Sequence, residues 1–282
     1  MLLKDPQWMA IVNVTPDSFS DGGQWSALED LYSHALEACL AGAHFLDLGA
    51  ESSRPDASPI RAVLERQRLE RVLPLIQDLR RQFPQLKISV DTVKPSVAEW
   101  ALNTGLADAI NDVSGGRFIE ATHPKSMLQV VADYGVPYVL MHRRGSPDTM
   151  NDLAHYQDVV AEVTHELAQS LEKAFNAGIK AQQLWIDVGI GFAKTPEQCV
   201  ALLQHLPAIK ASLGGLPLLL GVSRKRVTSQ AGQLPPLRRE ATTAMWHHYA
   251  FTQLPLGTVD MYRVHDLPQQ KAAWDWWQSV TL

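Results

Sequence analysis

Residues 183–195 read QLWIDVGIGFAKT, an apolar run of strand length that delivers one carboxylate, Asp187, and then breaks into a turn carrying Gly189, Gly191, Phe192 and Lys194. A continuous apolar run of this length fits a strand buried in a core, and the glycines after it let backbone approach a ligand closely. An aspartate after a strand is also a common turn or capping residue, so the stretch decides no chemistry alone. Its grammar recurs, however, along the chain. Before it, apolar runs at 8–12, 44–48, 87–90 and 107–110 end at or carry Asn13, Asp47, Asp91, and Asn111 with Asp112. A run at 136–141 ends in His142, Arg143 and Arg144. After it, 217–222 ends in Ser223, Arg224 and Lys225, and 259–262 in Arg263, His265 and Asp266.

Helical patterns fill the spaces between these runs. Residues 27–41 place Leu28, Leu31, Ala35, Leu36 and Cys39 on one face, 65–82 and 156–177 are periodic, and Pro95 stands where a helix can begin. The strand runs are short and apolar rather than alternating, the mark of a parallel sheet covered on both faces. Eight such units in 282 residues predict an α/β fold, a (β/α)8 TIM barrel, whose chemistry sits at the carboxyl ends of the strands. No linker, low-complexity tract or internal repeat divides the chain, so residues 1–282 are read as a single domain.

Composition narrows the function. Hydrophobic residues make up 46% and charged residues 20%, as in an ordinary globular protein. A net charge of -5 gives no general footprint for nucleic acid or an anionic membrane, so neither is expected as a partner, and an anionic ligand needs a local cluster. Cys39 and Cys199 are isolated, which makes neither a disulfide framework nor a metal site and suits a reducing compartment. The opening MLLKDPQWM lacks a signal-peptide core and no apolar run is long enough to span a bilayer, so a cytoplasmic protein is expected.

The strand ends carry two kinds of group. Asp91, Asn111 and Asp187 suit a flat heterocycle rich in N–H and ring nitrogen, because carboxylates accept paired hydrogen bonds and an amide both donates and accepts. Lys225, Arg263 and His265 follow the seventh and eighth runs, where barrels frequently hold phosphate. One elongated substrate is implied, its ring among acids on one side of the mouth and its phosphates among bases on the other. No spacing resembles a zinc site. His247 and His248 are read as packing residues, and Trp274, Trp276 and Trp277 as packing a terminal helix or lining a dimer contact.

With these motifs assembled, the chain resembles dihydropteroate synthase. The resemblance is carried in order by NVTPDSFSDGG (13–23), DLGAESSRP (47–55), SVDTVKP (89–95), INDVSGG (110–116), LMHRRGSPDTM (140–150), the stretch 187–194, SRK (223–225) and RVHD (263–266). It implies a pterin-binding barrel enzyme that condenses 6-hydroxymethyl-7,8-dihydropterin diphosphate with p-aminobenzoate, releasing diphosphate. By that resemblance Asp91, Asn111, Asp187, Phe192 and Lys225 bind the pterin, and Asn13, Arg263 and His265 the diphosphate. Mg²⁺ would lie near Asn13 and Asp21. Phe19, Ser53, Arg54, Pro55 and Ser223 would surround the aminobenzoate. Catalysis is assigned to Asp91, Lys225, Arg263 and His265, and a homodimer is implied.

The family pattern is broken at several positions. Ala50 and Ala193 replace usual glycines, Ser53 a usual threonine and Val188 a usual proline, while Arg143 and Arg226 add charge where apolar or small residues are usual. Residues 230–260 match the family poorly, and their prolines suggest a remodelled seventh helix region. Two alternatives follow: a pterin-binding relative with weak activity or an altered amine substrate, and a pterin-binding barrel of the methyltransferase kind. The basic cluster after the last two strands speaks against the latter.

Overall fold

The computed structural model describes residues 5–14, 24–51, 59–229 and 234–281. Eight strands run through them: β1 (Gln7–Asn13), β2 (Phe45–Gly49), β3 (Lys87–Asp91), β4 (Ala109–Asp112), β5 (Tyr138–Met141), β6 (Leu184–Asp187), β7 (Leu219–Leu220) and β8 (Met261–Val264). Each is followed by a helix: α1 (Gln24–Leu40), α2 (Ala62–Gln82), α3 (Pro95–Asn103), α4 (Met127–Tyr134), α5 (Val159–Asn176), α6 (Pro196–Ser212), α7 (Glu240–Gln253) and α8 (Leu267–Thr281). The strands pair in parallel in the order β6-β5-β4-β3-β2-β1-β8-β7. A bridge between Ile186 and Leu218 joins the two edges, closing the (β/α)8 barrel that the apolar runs predict.

β7 is the thinnest stave. The sequence predicts a strand over 217–222, yet only Leu219–Leu220 join the ladder. Pro217 has no N–H to donate, Leu218 N is taken by Asp260 Oδ2 at 2.8 Å, and the chain leaves the ladder at Gly221. Other strand boundaries also move, most of all at β4 and β8. β4 and β8 extend through Asn111, Asp112 and Arg263, which therefore lie within strands rather than beyond them. The sequence reading ends these two runs at Ile110 and Tyr262, whereas pairing continues because a partner strand is there: Asp91 stands opposite Asn111, and Met9 opposite Arg263.

Strand alternation sorts the side chains. Leu46 and Leu48 of β2 join Leu69, Val72 and Ile76 of α2 in the layer between barrel and helices. Met9, Val139, Leu219 and Met261, with Phe45 and Trp185, plug the barrel interior. Each such side chain contributes roughly 1.5–3 kcal/mol on burial, so the plug can support a polar mouth above it. There the register sets Asn13, Gly49, Asp91 and Asn111 side by side, with Met141 beside Asp187 further round.

The side chains of Ser126, Asp158 and Thr195 cap α4, α5 and α6. Thr195, the last residue of the 183–195 stretch, caps α6 in a reciprocal box with Gln198, and Pro196 takes the first helical position. Toward the C-terminus Trp274 and Trp277 of α8 are buried around Phe251 of α7, with centroids 4.6 and 5.8 Å from its ring, while Trp276 is 62% exposed. His247 is buried, its Nδ1 2.8 Å from Gln270 Oε1.

Candidate active site

Arg263 is the centre of the mouth. It rises from β8 and spans two carboxylates, Nε donating to Asp47 Oδ2 and Nη2 to Asp91 Oδ2, each at 2.7 Å. Asn111 Nδ2 donates to the same Asp47 oxygen at 2.9 Å. Burial pushes the Asp91 carboxyl up to about 7; Arg263 pulls it back and the neighbouring Asp47 pushes it further. Burial works against the charge of Arg263 as well, but Asp47 and Asp91 more than offset it and hold the guanidinium protonated. Acids and bases are therefore interleaved, not segregated across the mouth as the sequence reading expects. A guanidinium between two carboxylates is the lower-energy arrangement for charges this deeply buried.

The second cluster lies around β6 and β7. Asp187 Oδ1 accepts from Gly189 N at 2.7 Å. Gly189 has φ 69°, and a Cβ there would fall 1.9 Å from His142 O, so the turn admits no other residue. A Cβ on Gly221 would meet Asp187 Oδ2 at 3.5 Å and Lys225 Nζ at 3.7 Å, so carboxylate and ammonium face one glycine. The Lys225 ammonium sits 4.7 Å from the Phe192 ring centroid. Burial pushes Lys225 down to about 8, with Asp187 working the other way. Acid, amine and aromatic wall together bound a place for a flat, polar ring.

Ser223 and His265 form a third group. Ser223 Oγ accepts from His265 N at 3.1 Å and lies 3.0 Å from His265 Nδ1. Ser223 Oγ donates to Nδ1 in the tautomer that carries the ring N–H on Nε2, and accepts from Nδ1 in the other. Ser223, expected at the aminobenzoate, is thus also a partner of the expected phosphate ligand. Asn13 ends β1 on the exposed side of the same rim. Phe19, Asp21, Ser53, Arg54 and Pro55 lie outside the described residues.

Several charged residues have other duties. Arg224, in the left-handed region at φ 56°, turns to α7 and pairs with Glu240. Asp112 is fully buried and organises its own turn, accepting from Ser114 N, Gly116 N and the Tyr138 hydroxyl. Arg226 is exposed on the short helical turn Arg226–Thr228. Asp47 is the residue that sequence reasoning left without a role. Its only signal is a carboxylate inside an apolar strand, FLDLG, where none is tolerated without a partner.

Comparison with known proteins fits this geometry. Residues 9–265 match the family model of the pterin binding enzymes. The chain is 39% identical over 260 residues to the dihydropteroate synthase of Synechocystis sp., covering 92% of this chain and 84% of that protein. The chain belongs to the dihydropteroate synthase family. Among solved structures, the dihydropteroate synthase of Xanthomonas albilineans with 4-aminobenzoic acid superposes with a TM-score of 0.83 at 40% identity, covering 100% of this chain and 95% of that one. The same synthase in complex with 7,8-dihydropteroate gives a TM-score of 0.79 at 39% identity with the same coverage. Within the dihydropteroate synthase family frame, Asp91, Asn111, Asp187, Lys225, Arg263 and His265 come from five staves of one barrel mouth.

Proposed function

We propose that this chain condenses 6-hydroxymethyl-7,8-dihydropterin diphosphate with p-aminobenzoate, giving 7,8-dihydropteroate and diphosphate. The observation that carries the reading is Arg263 bridging Asp91 and Asp47 within the mouth that also holds Asp187 and Lys225. The pterin ring lies against Asp91, Asn111, Asp187, Phe192 and Lys225. Its diphosphate reaches Asn13, Arg263 and His265. The methylene C–O bond breaks, its electron pair leaving on the diphosphate, and the amine nitrogen forms the new C–N bond and then sheds a proton. Positive charge develops at the methylene, where the Asp91 carboxylate stabilises it, while Arg263 and His265 take up charge on the departing oxygens. An arylamine is neutral at pH 7, so no strong base is needed.

A divalent cation fits this rim in one way. Asn13 offers a single amide oxygen, and no group of three His, Cys, Asp or Glu able to hold a metal occurs among the described residues. Mg²⁺ commonly takes one or two protein ligands and completes its shell with substrate phosphates and water. Asn13 and Asp21 would hold Mg²⁺ in that manner, and it would neutralise diphosphate charge.

Asp91→Asn provides the test. Turnover should fall at least about a hundredfold, while pterin affinity by calorimetry changes by less than about fivefold, the pattern of an interaction made mainly in the transition state. Equal losses in turnover and affinity would refute the charge-stabilising role. Absence of dihydropteroate from wild-type enzyme would refute the reaction itself.

The same reading includes a homodimer in the cytoplasm. Among the described residues no helix is long and apolar enough to cross a membrane, and Cys39 and Cys199 are both free and buried. An apolar groove between α7 and α8, lined by Ala244, Met245, Tyr249, Ala273 and Trp276, supports pairing with a second copy.

A further inference from the structure

The turn after β6 is held by a side chain to which no role has been given. Lys194 is 9% exposed, and its Nζ lies 2.8 Å from His142 Nδ1, 2.9 Å from Phe192 O and 3.1 Å from Gly189 O. Burial pushes Lys194 down to about 7, while three acceptors favour the protonated form, whose three protons they match. Two belong to the turn itself, and the third to the residue that follows β5. A donating ammonium also fixes the imidazole: Nδ1 accepts, so the ring proton sits on Nε2 and is donated to Glu166 Oε2 of α5 at 3.0 Å. Arg144 Nε donates to the other Glu166 oxygen at 2.9 Å, and its guanidinium lies 3.9 Å from the Tyr156 ring centroid. Side chains thereby tie the turn to β5 and α5, beside the backbone bond from His142 N to Asp187 O.

Such a tie has something to hold. Gly189, Gly191 and Ala193 all sit at positive φ, 69°, 79° and 51°. Two glycines leave the chain many alternatives, and an alanine held in this region costs on the order of 1–2 kcal/mol. The turn nevertheless carries a backbone N–H to Asp187 and presents Phe192 to Lys225. We propose that Lys194 is a positioning residue of the pterin pocket, its ammonium locking 189–192 so that Asp187 and Phe192 stand in place before the ring arrives. A loop ordered on folding spares the ligand that ordering on binding. The inference rests on the pocket being a pterin site.

Lys194→Met keeps the length of the side chain and removes its donors, leaving two turn carbonyls and an imidazole nitrogen unmatched. In the full-length variant the dissociation constant for the pterin diphosphate, measured calorimetrically without p-aminobenzoate, should rise about tenfold or more. The KM for p-aminobenzoate should stay within about threefold. Glu166→Gln, which keeps Lys194 and weakens the far end of the chain, should raise the pterin constant by a smaller factor and serves if the first variant fails to fold. Combining the two substitutions should give less than the product of their separate effects, because both act through one unit. Wild-type enzyme that binds no pterin would sink the reading of the pocket and this inference with it. Wild-type binding matched by both variants, or pterin and aminobenzoate losses of equal size, would sink the inference alone.

Discussion

Arg143 is a guanidinium with 9% exposure that makes no hydrogen bond or ion pair among the described residues. It cannot shed its proton, so it carries the desolvation cost at every ordinary pH. Burial lowers its pKa; attraction to Asp112, Asp91 and Glu51 offsets this, and repulsion from Arg117 adds to it. Asp47 is more deeply buried but is met by Arg263 and Asn111. Opposite outcomes follow for the two positions. Arg143→Met should raise the unfolding free energy in urea by about 1–3 kcal/mol, because a buried, unmatched charge is replaced by an apolar chain of similar volume. Unchanged or reduced stability would mean that distant attraction alone outweighs burial. Removing the carboxylate at Asp47, by contrast, should cost about 3–5 kcal/mol, since Arg263 loses one of its two anchors.

Elements add a pH dependence through the packing of α7 and α8 on β8. His247 of α7 stacks edge-on against Tyr262 at 4.9 Å and bonds Gln270 of α8. Burial pushes it down to about 4, against the pull of that bond. In the unfolded chain a histidine titrates near 6.5. Its contribution is thus intact above that value and is lost as pH falls toward 4, because the unfolded state binds the proton first. Between pH 7 and pH 5 the loss is about 2 kcal/mol. Urea unfolding of His247→Gln should show an acid decline smaller than that of wild type by this amount, and parallel curves would refute the assignment. Much at this scale was legible in the sequence. Staves buried on both faces leave continuous apolar runs, which is why all eight could be counted. Their ends were not legible: Asn111 and Arg263 read as exits but are paired inside strands.

For the molecule as a whole, the family and the mouth residues could be read from motifs, whereas their partners could not. Asp47 and Arg263 are 216 residues apart, and only the pairing of β2 and β8 on either side of β1 brings them into contact. Lys194 likewise reads as a loop lysine until His142 is placed beneath it. A helix presenting apolar groups to water raises the remaining question at this scale, how copies of the chain associate. Met245 and Trp276 are 69% and 62% exposed on either side of the α7–α8 groove, and large exposed apolar groups in one patch mark an interaction surface. Symmetric pairing of this patch would bury both aromatic and thioether groups, the kind of central contact that dominates association energy. Sedimentation of wild-type protein should give twice the 31.3 kDa of one chain. Trp276→Glu combined with Met245→Glu should sediment as one chain at the same concentration. Because the groove is formed by helices outside the barrel, turnover of the separated chains should remain within about threefold of wild type. A variant that stays dimeric would move the contact elsewhere, and one that separates and loses all turnover would show that the mouth depends on the partner.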